Sequence, residues 1–281
     1  MQSTIAQALQ DARHHIEDLE ARLLLQCVLN VDAVYLAAYP DRNLNSRQQE
    51  AYRSLIAKRI RGEPVAYLVG EREFYGLTFK VTPAVLIPRP ETELLVEIAL
   101  SRIPNERVCR ILDLGTGSGA IAITIAKLRP HAQVIAVDCS SEALTVARIN
   151  AQNLGVSNVR MLSGDWFATL GPQQFDLIVS NPPYVAEGDP HLSEGDLRFE
   201  PIIALTAQEE GLAAIRHIVA NSLHFMAPGG WLLLEHGYNQ APICRQLLAE
   251  SDFRNIFTCP DLAGIPRVSG GQHYDRTRAT S

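Results

Sequence analysis

The chain has 281 residues, a formal net charge of −6 and a hydrophobic content of 47%, as expected of a globular protein that buries a core of one large α/β domain with a small companion. The acidic balance argues against a protein that holds nucleic acid mainly by neutralising phosphates, which calls for clustered Lys and Arg, although a local basic groove stays open. Cys27, Cys109, Cys139, Cys244 and Cys259 form no C-x-x-C pair and have no histidine at ligand spacing, so neither a disulfide framework nor a metal site is expected.

The first segment, MQSTIAQALQDARHH, has no apolar run after a basic start, so no signal peptide is expected. No later stretch approaches the ~20 apolar residues that span a bilayer, and a cytoplasmic protein without membrane contact follows as the expectation. Ile5, Ala8, Leu9 and Ala12 recur at helical spacing, and Ile16, Leu19, Leu23 and Leu24 follow after a polar break. Asn45 or Ser46 can cap a helix carrying Tyr52, Leu55, Ile56 and Ile60 on one face. Helices this short persist only when packed on one another. Residues 1–72 therefore predict a small helical bundle domain.

The texture then changes. Residues 72–88 (REFYGLTFKVTPAVLIP) mix β-branched and aromatic residues broken by Gly76 and Pro83, and predict a hairpin linker over 73–90. Pro90 suits the first turn of a helix, with Glu91 and Glu93 favourable at its positive end and Leu94, Leu95, Ile98 and Ala99 continuing it. Further on, strand candidates at 109–114, 133–138, 175–180 and 230–235 alternate with helix candidates at 119–128, 141–153, 209–226 and 239–250. Apolar strands alternating with amphipathic helices argue for a mostly parallel sheet covered on both faces, over residues 91–281.

Asp113-Leu114-Gly115-Thr116-Gly117-Ser118-Gly119 leaves the first of these strands and opens a helix. Glycines there let the backbone turn sharply and a ligand lie against it. The turn alone is a weak signal, because dinucleotide enzymes use it too. The spacing G-x-G-x-G, not G-x-G-x-x-G, weighs against a nicotinamide cofactor, and no Gly-Lys-Ser/Thr follows to make a phosphate-binding Walker loop. Asp138 ends the next strand and can accept hydrogen bonds from both ribose hydroxyls of an adenosyl group, with helix capping as the alternative reading. Asp165 could meet an adenine amino group while Trp166 covers the ring, or Trp166 could be core.

Asn181-Pro182-Pro183-Tyr184 directly follows the strand FDLIVS. Neither proline donates a backbone hydrogen bond, and each restricts the residue before it, so the segment is a stiff loop with free carbonyls. Such a loop suits methylation of an amide nitrogen. That nitrogen is a poor nucleophile because its lone pair is shared with the carbonyl, a conjugation that supports a rotation barrier of ~18–20 kcal/mol in a peptide bond. The Asn181 side-chain oxygen and the Pro182 carbonyl can each accept one N–H of a primary amide, and Tyr184 can pack on the planar group. Positioning for in-line attack can contribute ~7–11 kcal/mol, so no strong general base is required. Glu235, His236 and Gln240 lie near the end of the next strand, and the sequence offers no function for them.

Together these motifs resemble the class I S-adenosylmethionine methyltransferases. The stretch PVAYLVGEREFYGLTFKVTPAVLIPRPETELLVE, followed by DLGTGSG and NPPY, is similar more narrowly to the HemK/PrmC family, which methylates the glutamine of the Gly-Gly-Gln motif in peptide chain release factors. The resemblance covers nearly the whole chain. It implies a Rossmann-like, mostly parallel seven-stranded sheet, S-adenosylmethionine at Gly115 to Gly119, Asp138, Trp166 and Asn181, the substrate glutamine at Asn181 to Tyr184, and a helical domain that docks the release factor. Partners are then release factors, with no stable nucleic-acid binding. The chain departs from the family in its tail, which leaves the last strand open and carries a Gly270-Gly271-Gln272 of its own, a chance tripeptide or a site of self-methylation. Three other readings use the same residues: methylation of a ribosomal-protein glutamine or of an exocyclic amine of DNA or RNA, a non-catalytic cofactor-binding factor, and a nicotinamide oxidoreductase. Basic and aromatic surface for base flipping would favour the nucleic-acid enzyme.

Overall fold

The structure, a computed structural model, describes residues 3–274; residues 1–2 and 275–281, at the outer ends of the two expected domains, lie outside it. The chain divides into two compact units, each described on its own.

The first unit comprises the residues up to Glu71 together with His191–Phe199. Its helices are α1 (Ile5–Ala12), α2 (Asp18–Leu29), α3 (Ala33–Ala38), α4 (Ser46–Ile60) and α5 (Val65–Val69). Two reciprocal caps start α1 and α4. The Thr4 hydroxyl accepts from Gln7 N at 3.2 Å while the Gln7 side chain accepts from Thr4 N at 3.0 Å, and Asn45 and Gln48 repeat the pattern at 2.9 and 3.0 Å. Of the two expected caps for α4, Asn45 is the one used. Ile5, Leu24, Leu25, Leu44 and Tyr52 fill the core, and the Tyr52 hydroxyl donates to the Ala21 carbonyl at 3.0 Å. Ile60 and Leu19, expected to face inward, are 54% and 66% exposed. The distant segment belongs here because Arg59 pairs with Glu20 at 2.8 Å and with Asp196 at 3.3 Å, and Arg198 fills the space over Gly62.

The second unit runs over Arg72–Pro190 and from Glu200 onward. β1 (Glu71–Phe74) and β2 (Leu77–Lys80) form the hairpin, turning at Tyr75 and Gly76. Strand structure stops at Lys80 rather than running to 88, and Val81, Val85 and Ile87 are buried in irregular chain between prolines that cannot serve a ladder. After α6 (Thr92–Arg102) come β3 (Arg110–Leu114), α7 (Ala120–Leu128), β4 (Gln133–Asp138), α8 (Ser141–Asn153), β5 (Val159–Ser163) and β6 (Phe175–Ser180). The remainder is β7 (Val185–Ala186), α9 (Ile202–Leu205), β8 (Thr206–Ala207), α10 (Gln208–Gly211), α11 (Ala213–Ser222), β9 (Met226–Glu235), α12 (Ala241–Glu250), β10 (Phe253–Pro260) and β11 (Pro266–His273).

The main sheet has seven strands in the order β10-β11-β9-β6-β3-β4-β5; β9 through β5 are parallel, and β11 is antiparallel to both neighbours. This is the expected α/β fold. Separate apolar clusters cover its two faces, so β3 and β6 are apolar almost throughout and read clearly in the sequence. The helix expected over 209–226 begins only at Ala213, because Glu209, Glu210 and Gly211 hold φ of 53°, 56° and 82°.

The Gly-Gly-Gln tripeptide lies inside β11. Gly270 and Gly271 pair with Leu233 and Leu232, and Cβ atoms there would fall 2.8 Å from the Leu232 carbonyl oxygen and 2.9 Å from Phe253 Cβ. Gln272 sits opposite Trp231, in the middle of β9; its Nε2 donates to the Gly229 carbonyl at 2.9 Å and its Oε1 accepts from Asn255 at 2.7 Å. Both ends of that amide are engaged in the sheet, which leaves self-methylation without a geometric basis.

Candidate active site

The carboxyl ends of β3, β4, β6 and β9 bring the sequence motifs together, beside the point where strand order reverses. The glycine loop leaves β3 with Gly115, Gly117 and Gly119 at φ of 72°, 56° and 83°. Gly115 N and Thr116 N donate to the Val137 carbonyl at 2.9 and 3.0 Å, which pins the loop to the end of β4. At Gly119 a Cβ would also press on Ile123 and Ala147, at 3.2 Å from Ile123 Cγ1, so α7 packs down only with glycine there.

Asp138 reaches across to this loop. Its Oδ2 accepts from Gly117 N at 2.8 Å and its Oδ1 from Ser140 N at 2.9 Å. The helix-capping alternative falls to Ser140, whose hydroxyl accepts from Ala143 N at 3.1 Å. Burial raises the Asp138 carboxyl above its ordinary range, and the backbone N–H groups of Ser140, Gly117 and Cys139 oppose that rise. Asp113, wholly buried behind the loop, is pushed up to about 7 by burial, although the Thr116 hydroxyl donates to its Oδ2 at 2.6 Å; its Oδ1 has no partner.

A cavity of about 420 Å³ opens over these groups. Gly115, Gly117, Asp138, Asp165, Trp166 and Asn181 all line it. The Trp166 ring lies 3.7 Å from the position of a Cβ on Gly115, and nothing approaches such an atom on Gly117 within 4 Å. A glycine floor, an acid on one side and an indole wall make a site shaped for a nucleoside with a diol, and among the described residues no His, Cys, Asp and Glu cluster to hold a metal. Thr116 and Ser118 are placed differently: their side chains are buried, and the Thr116 hydroxyl serves Asp113.

The Asn-Pro-Pro-Tyr loop forms another wall. Asn181 and Pro183 line the cavity while Pro182 is buried. Asn181 Nδ2 donates to the Thr92 hydroxyl at 3.1 Å. Tyr184 packs into the apolar cluster beneath the sheet edge, and its hydroxyl donates to Glu235 Oε1 at 3.4 Å. Its carbonyl accepts from Gln240 Nε2 at 3.1 Å, and Gln240 Oε1 accepts from Gly237 N at 2.9 Å. Glu235 is 1% exposed and is pushed up to about 7 by burial, against the Thr92 and Tyr184 hydroxyls and Arg267. Thr92, Glu235 and Gln240 thus shape the site, although only the buried position of an acid at a strand end could have hinted at one of them. His236 is buried between the Gly237 carbonyl and the Ser269 hydroxyl, both at 2.9 Å, in keeping with a structural role.

Known proteins agree with this architecture. A methyltransferase domain model matches residues 105–265 and a PrmC N-terminal domain model matches residues 1–70. A release factor glutamine methyltransferase of Salmonella typhimurium is 48% identical over 253 residues, 90% of this chain and 91% of its own. One from Vibrio cholerae is 46% identical over 99% of this chain and 100% of its own. Solved structures share the fold: a Pyrococcus furiosus methyltransferase, 17% identical, superposes with a TM-score of 0.55 over 78% of this chain and 98% of its own. A 16S rRNA methyltransferase of T. thermophilus in complex with AdoMet and guanosine, 22% identical, gives 0.53 over 72% and 49%. Matched along almost its full length by such relatives, and with a nucleoside-shaped cavity beside its Asn-Pro-Pro-Tyr loop, the chain belongs to the release factor glutamine methyltransferases, which take their methyl group from S-adenosylmethionine.

Proposed function

We propose that the chain methylates the side-chain amide nitrogen of the glutamine in the Gly-Gly-Gln motif of release factors, at the lip of the cavity where Asn181 stands. The observation that carries this is the Asn181 amide, fixed by Thr92 at one end and left with its oxygen as the acceptor at the other. Bound in the cavity, S-adenosylmethionine supplies an electrophilic methyl group. Asp138 holds the ribose hydroxyls, Asp165 meets the adenine amino group, and Trp166 covers the ring. The glycine-rich backbone of the Gly115-Thr116-Gly117-Ser118-Gly119 loop lies against the rest of the cofactor, its Gly115, Thr116, Gly117 and Gly119 N–H groups being engaged within the protein.

Asn181 Oδ1 and the Pro182 carbonyl each accept one N–H of the substrate amide. Two fixed acceptors draw the nitrogen out of conjugation and aim its lone pair, which is where the rate enhancement arises. Once methylated, the nitrogen is cationic and strongly acidic, so its proton passes to solvent without a dedicated base. Pro183 stiffens the loop. Tyr184 holds the loop down through its ring and its Glu235 contact, a supporting place rather than a stacking one.

The helical unit carries the docking of the release factor. Leu19 and Leu23, one turn apart on α2, and Val34 on α3 are exposed apolar side chains suited to a protein partner. The reaction belongs in the cytoplasm, where translation termination occurs, and no helix among the described residues is long and apolar enough to cross a membrane. The test offers radiolabelled cofactor to release factor, ribosomal protein and nucleic acid side by side. Label on the release factor, lost when its Gly-Gly-Gln glutamine is replaced and lost with Asn181→Ala, is the expected result. Label on nucleic acid alone would overturn the substrate assignment.

A further inference from the structure

Two stretches far apart in the chain build much of the cavity's wall: 84–86, in the irregular run after β2, and 201–207, across α9 and β8. Neither belongs to the seven-stranded sheet, so its ladder does not fix one against the other. What joins them is a buried carboxylate. The Glu200 side chain has no exposed surface; one oxygen accepts from Ile87 N at 3.0 Å and the other pairs with the Arg89 guanidinium.

The contacts that lead away from Glu200 also lead back to it. On one side the Arg89 carbonyl accepts from Thr92 N at 3.1 Å, and the Thr92 hydroxyl accepts from Asn181 Nδ2 at 3.1 Å. Asn181 opens the stiff Asn-Pro-Pro-Tyr loop, which runs directly into β7. There Val185 and Ala186 pair with Thr206 and Ala207 of β8, and α9 returns through Pro201 to Glu200. The circuit is closed, and Asn181, Pro183, Pro201, Ala204 and Thr206 on it line the cavity.

A buried ion pair is often no more stabilising than apolar side chains of similar volume. Its distinction is placement. A backbone N–H and a guanidinium on separate carboxylate oxygens admit one arrangement, whereas apolar surfaces can slide past each other. We propose that Glu200 is a positioning residue that closes this circuit, holding the 201–207 wall against the cofactor and, by way of Arg89 and Thr92, Asn181 against the substrate amide. The proposal rests on the functional reading above, in which the cavity takes S-adenosylmethionine and Asn181 accepts from that amide. Opening the circuit leaves the sheet and the glycine loop in place, while the wall and the Asn-Pro-Pro-Tyr loop become free to drift.

The test compares Glu200→Ala, Glu200→Gln and Asn158→Ala with the parent, by calorimetric binding of S-adenosylmethionine, methyl transfer to a release factor and thermal unfolding. Glu200→Ala loses both bonds and populates the competent arrangement less. Its cofactor Kd should rise about 10-fold or more, and its kcat at saturation should fall about 10- to 100-fold. Glu200→Gln keeps an acceptor for Ile87 N but loses the charge, and should raise Kd by about 3- to 10-fold. Asn158→Ala controls for lost stability alone. Asn158 Nδ2 donates to the Ala126 and Ala132 carbonyls at 3.0 Å each, just ahead of β5 at the opposite edge of the sheet. That variant should melt earlier yet keep Kd and kcat within about 2-fold of the parent. Parent Kd and kcat in Glu200→Ala, or in Glu200→Gln should the alanine variant not fold, overturn the proposal, as do equal losses in Asn158→Ala. Full activity in Asn181→Ala would instead sink the underlying reading, which separates the two failures.

Discussion

Gly211 is the most exacting glycine near the active site, and Gly211→Ala is the sharpest single test of how the Asn-Pro-Pro-Tyr loop is held. Its φ of +82° is left-handed, where an alanine costs about 1–2 kcal/mol. The added Cβ would also sit 2.8 Å from the Tyr184 carbonyl carbon and 3.1 Å from Gln240 Nε2, and closer still to the Tyr184 oxygen. Ordinary contact is ~3.5–4.0 Å, so the Tyr184 backbone must retreat by about 1 Å. That retreat breaks the Gln240 bond, which contributes about another 1 kcal/mol. A destabilisation of about 2–3 kcal/mol follows from the two terms. A displacement of about 1 Å next to the reacting groups lowers kcat by about 100-fold. Urea unfolding would measure the first effect, and saturating methyl-transfer kinetics the second. Gln240→Ala, which loses the bond without the collision, should show a kcat between the two. Normal kcat in a destabilised Gly211→Ala protein would refute the idea that this contact sets the loop.

Further expectations concern the carboxylates. Asp138→Ala removes the acceptor of Gly117 N and Ser140 N and should weaken S-adenosylmethionine binding about 10-fold or more by calorimetry; unchanged affinity would dissociate Asp138 from the cofactor. Asp113 and Glu235 are both raised to about 7 from ordinary values of 3.8 and 4.5, so the stability they contribute is complete in acid and is lost as pH rises through about 7. Scanning calorimetry should therefore show a smaller loss of stability between about pH 5 and about pH 8 in Asp113→Asn than in the parent, and an equal loss would contradict the assignment. Glu200 is buried, pairs with Arg89 and accepts from Ile87 N at 3.0 Å. Because Arg89 keeps partial exposure, Glu200→Ala should cost about 2 kcal/mol, below the ~3–5 kcal/mol of a fully buried pair; a melting temperature equal to the parent's would show that the pair adds nothing.

Local chemistry was what the sequence revealed best. The strands of the parallel sheet are near-continuous apolar runs, and the glycine loop and Asn-Pro-Pro-Tyr combine residues whose backbone restrictions speak for themselves. Asn45 announced α4 in the same way. What stayed hidden depends on partners far apart in the chain. Thr92 meets Asn181 across 89 positions, and Ile87 meets Glu200 across 113. Neither pairing leaves a local signature. The sequence placed Thr116 and Ser118 in the cofactor loop but did not show that their side chains turn inward, Thr116 onto Asp113. The true start of α11 was masked by Glu209 and Glu210, good helix formers that here adopt left-handed backbone angles. The sequence left the last strand open because β11 owes its place to close packing on Leu232 and Phe253 rather than to β propensity.

The membership of His191–Phe199 in the helical unit makes that unit discontinuous. The polypeptide passes between the two bodies three times, after Glu71, after Pro190 and after Phe199. Residues 1–70, which look like a detachable module, are therefore not one. Excising them would orphan a nine-residue stretch whose Asp196 and Arg198 have their neighbours at Arg59 and Gly62, and a chimera built by exchanging the amino-terminal third alone would pair a foreign bundle with a native insert. Exchanging the helical unit between relatives calls for both segments to travel together, and the second of them begins only seven positions past Tyr184. Heredity of the helical unit and of the Asn-Pro-Pro-Tyr loop is in this sense linked by the thread of the chain itself.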